Sequence, residues 1–260
     1  MNKHTQPIGI FDSGIGGTSV WKEIHALLPH ENTIYLADSK NAPYGIKTKE
    51  EITALSCKNV EFLLDKGAKI IVVACNTATM NAIETLRATF DVPFIGMEPA
   101  IKPAVALTKT KTIGVLATKG TLTSTKYMEH EHYYPEVHIM DQIGYNLVQL
   151  IEEGKLDSEE MTQLLKEYTQ PMLDQNMDCL VLGCTHYPYL RPQLQRLLPA
   201  HVHIIDSGAA VAKQTKKILE ENNWLNTAAT PGLCMFHTNS DAAVLKHILG
   251  FDKEVYQTSF

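Results

Sequence analysis

An apolar run that ends in a small residue, a cysteine and then hydrogen-bonding side chains occurs twice in this chain of 260 residues. The first copy is Ile70-Ile71-Val72-Val73-Ala74-Cys75-Asn76-Thr77; the second is Cys179-Leu180-Val181-Leu182-Gly183-Cys184-Thr185-His186. Other short runs recur in the same order: Ile8-Gly9 with Ile113-Gly114, Ile34 to Asp38 with Val137 to Asp141, and Phe94-Ile95-Gly96 with Ile204-Ile205-Asp206. In chain order the offsets are 105, 103, 109 (the cysteine runs) and 110 residues, close to constant. A chain built this way is constrained to fold as two similar halves. Short β-branched runs alternate with longer stretches of helical periodicity, the pattern of parallel α/β sheets. Their near-continuous apolar character predicts sheets covered on both faces.

The expected fold class is therefore α/β, with two pseudo-symmetric lobes, each a mostly parallel sheet flanked by helices. The active site is expected in the interlobe cleft, because ligands of open α/β sheets bind beyond the carboxyl ends of the strands. Residues 1–97 with 209–260 are read as a discontinuous first lobe and 98–208 as the second. Expected strands are Pro7–Phe11, Thr33–Ala37, Ile70–Ala74, Pro93–Gly96, Thr112–Ala117, Val137–Met140, Cys179–Leu182 and His203–Ile205. Expected helices are Gly17–Leu28, Thr48–Lys66, Thr77–Phe90, Ser124–His132, Ser158–Asn176, Tyr189–Leu197 and Ala209–Asn222.

Bulk properties narrow the function. No apolar stretch approaches the ~20 residues that span a bilayer, and the polar start of the chain does not read as a signal peptide. The formal net charge is -6, with Lys and Arg scattered, which argues against nucleic acid or anionic membrane as the main partner. Five cysteines without a Cys-x-x-Cys pair fit a reduced, cytoplasmic protein.

Cysteine at a strand end where a helix begins has a thiolate stabilised by the helix N-terminus. A single such residue reads first as a small buried hydrophobe. Two of them, each followed by polar groups, point to two thiols facing one carbon acid, one removing a proton while the other delivers one. Cys57, Cys179 and Cys234 lack this context and read as structural. The turn Asp12-Ser13-Gly14-Ile15-Gly16-Gly17 resembles a phosphate cradle, but its glycines do not match G-x-G-x-x-G. Asp12 and Ser13 offer an acceptor and a hydroxyl at the cleft, or a helix cap. Tyr44, within Pro43-Tyr44-Gly45, fits packing or binding, and Thr118 and Thr121 fit carboxylate binding or capping. His186, two residues after Cys184, is placed to exchange protons with it near neutral pH. The close pairs Cys184/His186, His130/His132 and His201/His203 lack zinc-type spacing, so no metal is expected.

Taken together, Asp12-Ser13-Gly14-x-Gly16-Gly17, Pro43-Tyr44-Gly45, Cys75-Asn76-Thr77-Ala78-Thr79, Gly183-Cys184-Thr185-His186-Tyr187-Pro188 and Asp206-Ser207-Gly208 closely resemble the glutamate racemases of the aspartate/glutamate racemase superfamily. That resemblance, from about Ile8 to about Leu219, implies cofactor-independent interconversion of L- and D-glutamate, supplying D-glutamate for peptidoglycan. It implies catalytic roles for Cys75 on the D-enantiomer and Cys184 on the L-enantiomer, with Asp12 supporting the first thiol, His186 the second, and Glu152 a further acidic helper. Asp12, Ser13, Pro43, Tyr44, Gly45, Asn76, Thr77, Thr118, Thr121, Thr185 and His186 would bind substrate. A homodimer is expected. The chain departs from the family pattern at Val148-Gln149-Leu150-Ile151, where a proline step is usual, and at Ala100 after Glu98-Pro99. A sister racemase of aspartate or hydantoins, a redox protein with a reversible Cys75–Cys184 disulfide, and a protein-binding module are the competing readings.

Overall fold

The computed structural model describes residues 3–129, 133–250 and 253–260. In chain order the strands are β1 (Ile8–Asp12), β2 (Thr33–Ala37), β3 (Ile70–Val73), β4 (Phe94–Ile95), β5 (Thr112–Ala117), β6 (His138–Ile143), β7 (Cys179–Gly183), β8 (His203–Ile205), β9 (Cys234–Thr238) and β10 (Val255–Gln257). The helices are α1 (Thr18–Leu27), α2 (Lys49–Asp65), α3 (Asn76–Thr89), α4 (Ile101–Leu107), α5 (Lys119–Leu122), α6 (Thr125–Met128), α7 (Leu147–Glu152), α8 (Glu159–Asp174), α9 (Arg191–Leu197), α10 (Gly208–Glu221) and α11 (Ala242–Leu249). Among the described residues no helix is long and apolar enough to cross a membrane.

The strands form two parallel sheets, ordered β10-β9-β2-β1-β3-β4 and β6-β5-β7-β8. The run β2-β1-β3-β4 is thus repeated strand for strand as β6-β5-β7-β8, the duplication expected from the offsets. Alternate residues of each strand serve different cores. In the first sheet Phe11, Ile34, Leu36, Ile71 and Val73 pack on one side, while Ile8, Ile10, Tyr35, Ile70 and Val72 face the other. In the second sheet Ile113, Val115, Cys179 and Val181 line one core. Leu116, Leu180 and Leu182 join the same cluster as Ile8 and Ile10, so one apolar core runs through both sheets. The central strands β1, β2, β3, β5 and β7 are buried on both faces, which is why their sequences do not alternate with polar residues.

Three expectations change. The register pairs Ile8 with Thr33 and Ile113 with Ile139, so the counterpart of Thr33 is Ile139, and Ile34 does not correspond to Val137. The strand β6 is an edge with a half-exposed sequence, so its apolar pattern is weak. The second change is the C-terminal part of the chain, where no strand was expected. After α10, which packs on α1, β9 and β10 extend the first sheet beyond β2. Helix α6 ends at Met128, short of the expected His132; His130 and His132 lie outside the described residues.

The residues just before the two cysteine strands are buried charges with different partners. Lys69 is fully buried and paired with Glu31 Oε2 at 2.6 Å, and it also donates to Trp224 O. At the equivalent position Asp178 accepts from Thr108 Oγ1 at 2.5 Å, Lys109 N at 2.6 Å and Thr110 N at 3.0 Å, tying the loop before β5 to β7. Burial pushes this carboxyl up, but those hydrogen bonds outweigh it and hold it at about 2. Its folded pKa lies below its unfolded value, so its contribution to stability is present above pH ~4 and is lost as pH falls through about 2. Asp178→Asn is expected to cost on the order of 2 kcal/mol at neutral pH. The difference in Tm from the parent protein should shrink on acidification from pH ~4 toward ~2; a gap independent of pH would remove this explanation.

Candidate active site

At the carboxyl ends of the first sheet, β1 runs into the glycine turn and β3 into Cys75. Cys75 has an extended backbone (φ -144°, ψ 116°) and caps α3, its Sγ accepting from Ala78 N at 3.5 Å. It reaches Ser13 Oγ at 3.8 Å, and Ser13 Oγ in turn lies 3.4 Å from Asp12 Oδ1. Asp12 is fully buried and accepts from Gly17 N at 2.8 Å and from Thr185 Oγ1 of the other lobe at 3.3 Å. Burial raises its pKa, opposed chiefly by the His186 charge and the Gly17 amide. Burial also pushes the Cys75 thiol well up, helped by the Asp12 charge, against the stabilising Ala78 amide. In this closed, buried environment the helix start does not by itself make Cys75 a thiolate.

Cys184 follows β7 and faces a different partner. Its Sγ is 3.8 Å from His186 Nδ1. The other ring nitrogen, Nε2, lies 2.6 Å from Glu152 Oε1. Burial lowers the basicity of His186, yet the contacts with Cys184 and Glu152 and the charge of Asp12 outweigh it and hold the imidazole well above its ordinary value. A proton on Nε2 given to Glu152 leaves Nδ1 free to take one from the Cys184 thiol. Glu152 thus acts through His186, a contact that sequence order did not indicate. It sits on the last residue of α7, a six-residue helix preceded by Asn146 in the left-handed region (φ 62°).

The glycine turn has a role other than holding phosphate. None of Gly14, Gly16 and Gly17 has positive φ. A Cβ on Gly14 would overlap Glu152 Oε1, and one on Gly16 would overlap the His186 ring. The glycines make room for an acid and a histidine from the opposite lobe. Ile15 N and Gly16 N also point at these groups, Ile15 N donating to Glu152 Oε1 at 2.6 Å.

Between the lobes lies a small cavity of about 10 Å³, lined by Ser13, Pro43, Tyr44, Gly45, Cys75, Asn76, Thr77, Thr118, Val148, Cys184, Thr185 and His186. That is room for about one water molecule. Both thiols are on its wall. Asp12, Glu152 and Thr121 are not; they stand behind it. Thr121 belongs to a triangle of hydroxyls, 2.7 Å between Thr77 and Thr118, 3.1 Å between Thr118 and Thr121 and 3.3 Å between Thr77 and Thr121, that joins the lobes. Tyr44 donates its hydroxyl to Asp38 Oδ2 at 2.5 Å, which presents the Pro43–Gly45 segment to the cavity. Asn76 is 2% exposed, and neither its Oδ1 nor its Nδ2 has a hydrogen-bond partner. Leaving buried polar groups unpaired costs roughly 1–3 kcal/mol each, so this amide is suited to a polar ligand. A second cavity of about 160 Å³ adjoins the first and shares Pro43, Gly45, Thr118 and Val148 with it.

The three other cysteines lie apart from the cavity wall. Burial and the neighbouring Asp178 push the Cys179 thiol up to about 12, fitting an inert core residue. Cys57 is in α2 and Cys234 in β9, its Sγ 3.7 Å from His25 Nδ1.

Known proteins match this arrangement over nearly its full length. Residues 8–215 match the Asp/Glu/hydantoin racemase family. The glutamate racemase of Herpetosiphon aurantiacus is 45% identical over 239 residues, covering 92% of this chain and 94% of that protein. Among solved structures, glutamate racemase isoform RacE1 from Bacillus anthracis superposes with a TM-score of 0.88 at 31% identity, covering 98% of each chain. The Francisella tularensis glutamate racemase in complex with D-glutamate gives a TM-score of 0.84 at 30% identity, covering 98% of each chain. The chain belongs to the Asp/Glu/hydantoin racemase family, among its glutamate racemases.

Proposed function

We propose that this protein interconverts L- and D-glutamate by proton transfer between the substrate α-carbon and two thiols, without a cofactor. The observation that carries the reading is that Cys75 and Cys184, from matching strand ends of two lobes, lie on the wall of one small cavity with unequal proton partners. Starting from L-glutamate, the Cys184 thiolate takes the α-proton and the Cys75 thiol gives its own to the opposite face. From D-glutamate the same steps run in reverse. His186 makes the Cys184 thiolate by accepting its proton, and Asp12 acts on Cys75 through Ser13. The substrate ammonium, held in the cavity in front of the buried Asp12, supplies a positive charge that favours ionised thiols, so the buried pair is activated by the ligand itself. Its carboxylates meet neutral donors: Asn76, Thr77, Thr118, Thr185 and the amides at the start of α3. Among the described residues no arginine lines the cavity. In a dry site such fixed dipoles hold anions well.

A cavity with room for one water does not admit an amino acid, so the lobes, divided as residues 1–97 with 209–260 and 98–208, part to load substrate. The adjoining cavity beside Pro43 and Val148 is the way in. The same reading makes the product a peptidoglycan precursor formed in the cytoplasm by a homodimer. A substrate panel read by polarimetry, after treatment with a metal chelator and a carbonyl scavenger, tests the assignment. Glutamate of either hand should lose its rotation while aspartate and hydantoins keep theirs; activity on another substrate with none on glutamate would overturn it.

A further inference from the structure

Glu152 is held from both sides of the cleft. Its Oε1 takes His186 Nε2 from its own lobe and Ile15 N from the other. Its second oxygen, Oε2, accepts from Ser39 Oγ at 3.0 Å. Ser39 opens the short turn after β2 and is only partly buried. The turn is pinned in place by Asn239, next to β9, which accepts from Lys40 N at 2.9 Å and donates to Asp38 Oδ1 at 2.5 Å. A continuous line of contacts therefore runs from Asn239 through the turn to Ser39, Glu152, His186 and Cys184. All of it upstream of Glu152 belongs to the opposite lobe.

We propose that Ser39 is a positioning residue for the Cys184 half of the reaction: its hydroxyl fixes the second oxygen of Glu152, so that Oε1 stays on His186 Nε2 and the Cys184–His186–Glu152 relay is complete only when the lobes are closed. Without that hydroxyl only Oε1 is held, by His186 Nε2 and Ile15 N, so the carboxylate can turn about that oxygen and His186 loses its fixed orientation. Cys75 is not a member of this line: its direct partners are Ser13 and Ala78, and it meets the line only through Asp12, whose Oδ2 lies 4.0 Å from His186 Nδ1. The inference rests on the two-thiol reading above.

Ser39→Ala is expected to lower kcat/KM about tenfold, equally for both enantiomers because mirror images are equal in free energy. The distinguishing readout is the substrate α-deuterium isotope effect on kcat/KM. Raising the barrier at Cys184 alone makes proton removal from L-glutamate more rate-limiting, so the isotope effect for the L-enantiomer rises while that for the D-enantiomer falls. Ser39→Thr retains the hydroxyl and should restore both values. Isotope effects that stay put or move in the same direction, or an unchanged rate, would overturn the proposal. A separate outcome bears on the reading beneath it: if Cys184→Ala still racemises glutamate, the two-thiol mechanism itself fails, whatever Ser39 does.

Discussion

Cys75→Ala and Cys184→Ala each lower kcat/KM for glutamate racemisation by about 10³-fold or more, in line with the loss of a positioned acid–base group. The fall is the same from either enantiomer, since the equilibrium constant between mirror images is one. Alanine nearly fills the space of a small buried thiol, so each variant should stay folded, with a stability loss of about 1 kcal/mol. Circular dichroism of the substrate follows the rate, and thermal unfolding follows the fold. Cys179→Ala serves as the contrast: its thiol is buried in the second core, away from the cavity, and its loss should leave the rate near that of the parent. A Cys75 or Cys184 variant of full activity would remove that residue from the mechanism.

Gly16→Ala is the second large effect. The added methyl cannot coexist with the His186 ring where it stands, and the ring is hemmed in by Cys184, Asp12 and Glu152. Either the imidazole moves or the lobes stay apart. Misplacing a catalytic group by about 1 Å costs on the order of 10²-fold in rate, so kcat should fall at least that far. Gly14→Ala should behave alike through Glu152. Backbone strain is not the cause, because neither glycine has positive φ. Activity within about twofold of the parent in both variants would mean that the lobes do not close as described.

Much of this was legible in the sequence, for physical reasons. Buried parallel strands are continuous apolar runs, and the strand-end cysteines, the Thr33–Ala37 strand and the repeat order of β1, β3, β4 could be read from them directly. The parts that escaped carry weak signals. Helix α7 is six residues long and starts from a left-handed asparagine, too short for periodicity to show that Glu152 ends a helix. The strands β9 and β10 are short and partly exposed, and they add to a sheet whose other strands are over 150 residues away in the chain in the case of β3. The glycine turn looked like a poor phosphate loop because the reason for its glycines lies in the opposite lobe, at Glu152 and His186. Ser39 gave no signal at all; an isolated turn serine acquires meaning only from what it touches. The two thiols were visible as similar in placement, and the structure adds how they differ: Cys75 is backed by a hydroxyl and a buried acid, Cys184 by a histidine and a carboxylate of its own lobe that is anchored from across the cleft.

The central claim is that two different thiols work on opposite faces of one carbon. Its most direct test is racemisation in deuterium oxide, stopped early, with the α-position of both enantiomers read by NMR or mass spectrometry. Starting from L-glutamate, the account predicts deuterium in the D-glutamate formed and protium in the L-glutamate recovered, and the mirror result from D-glutamate. Substrate protium carried into the product, or early deuterium in both enantiomers from one starting hand, would mean that a single base serves both faces and would contradict it.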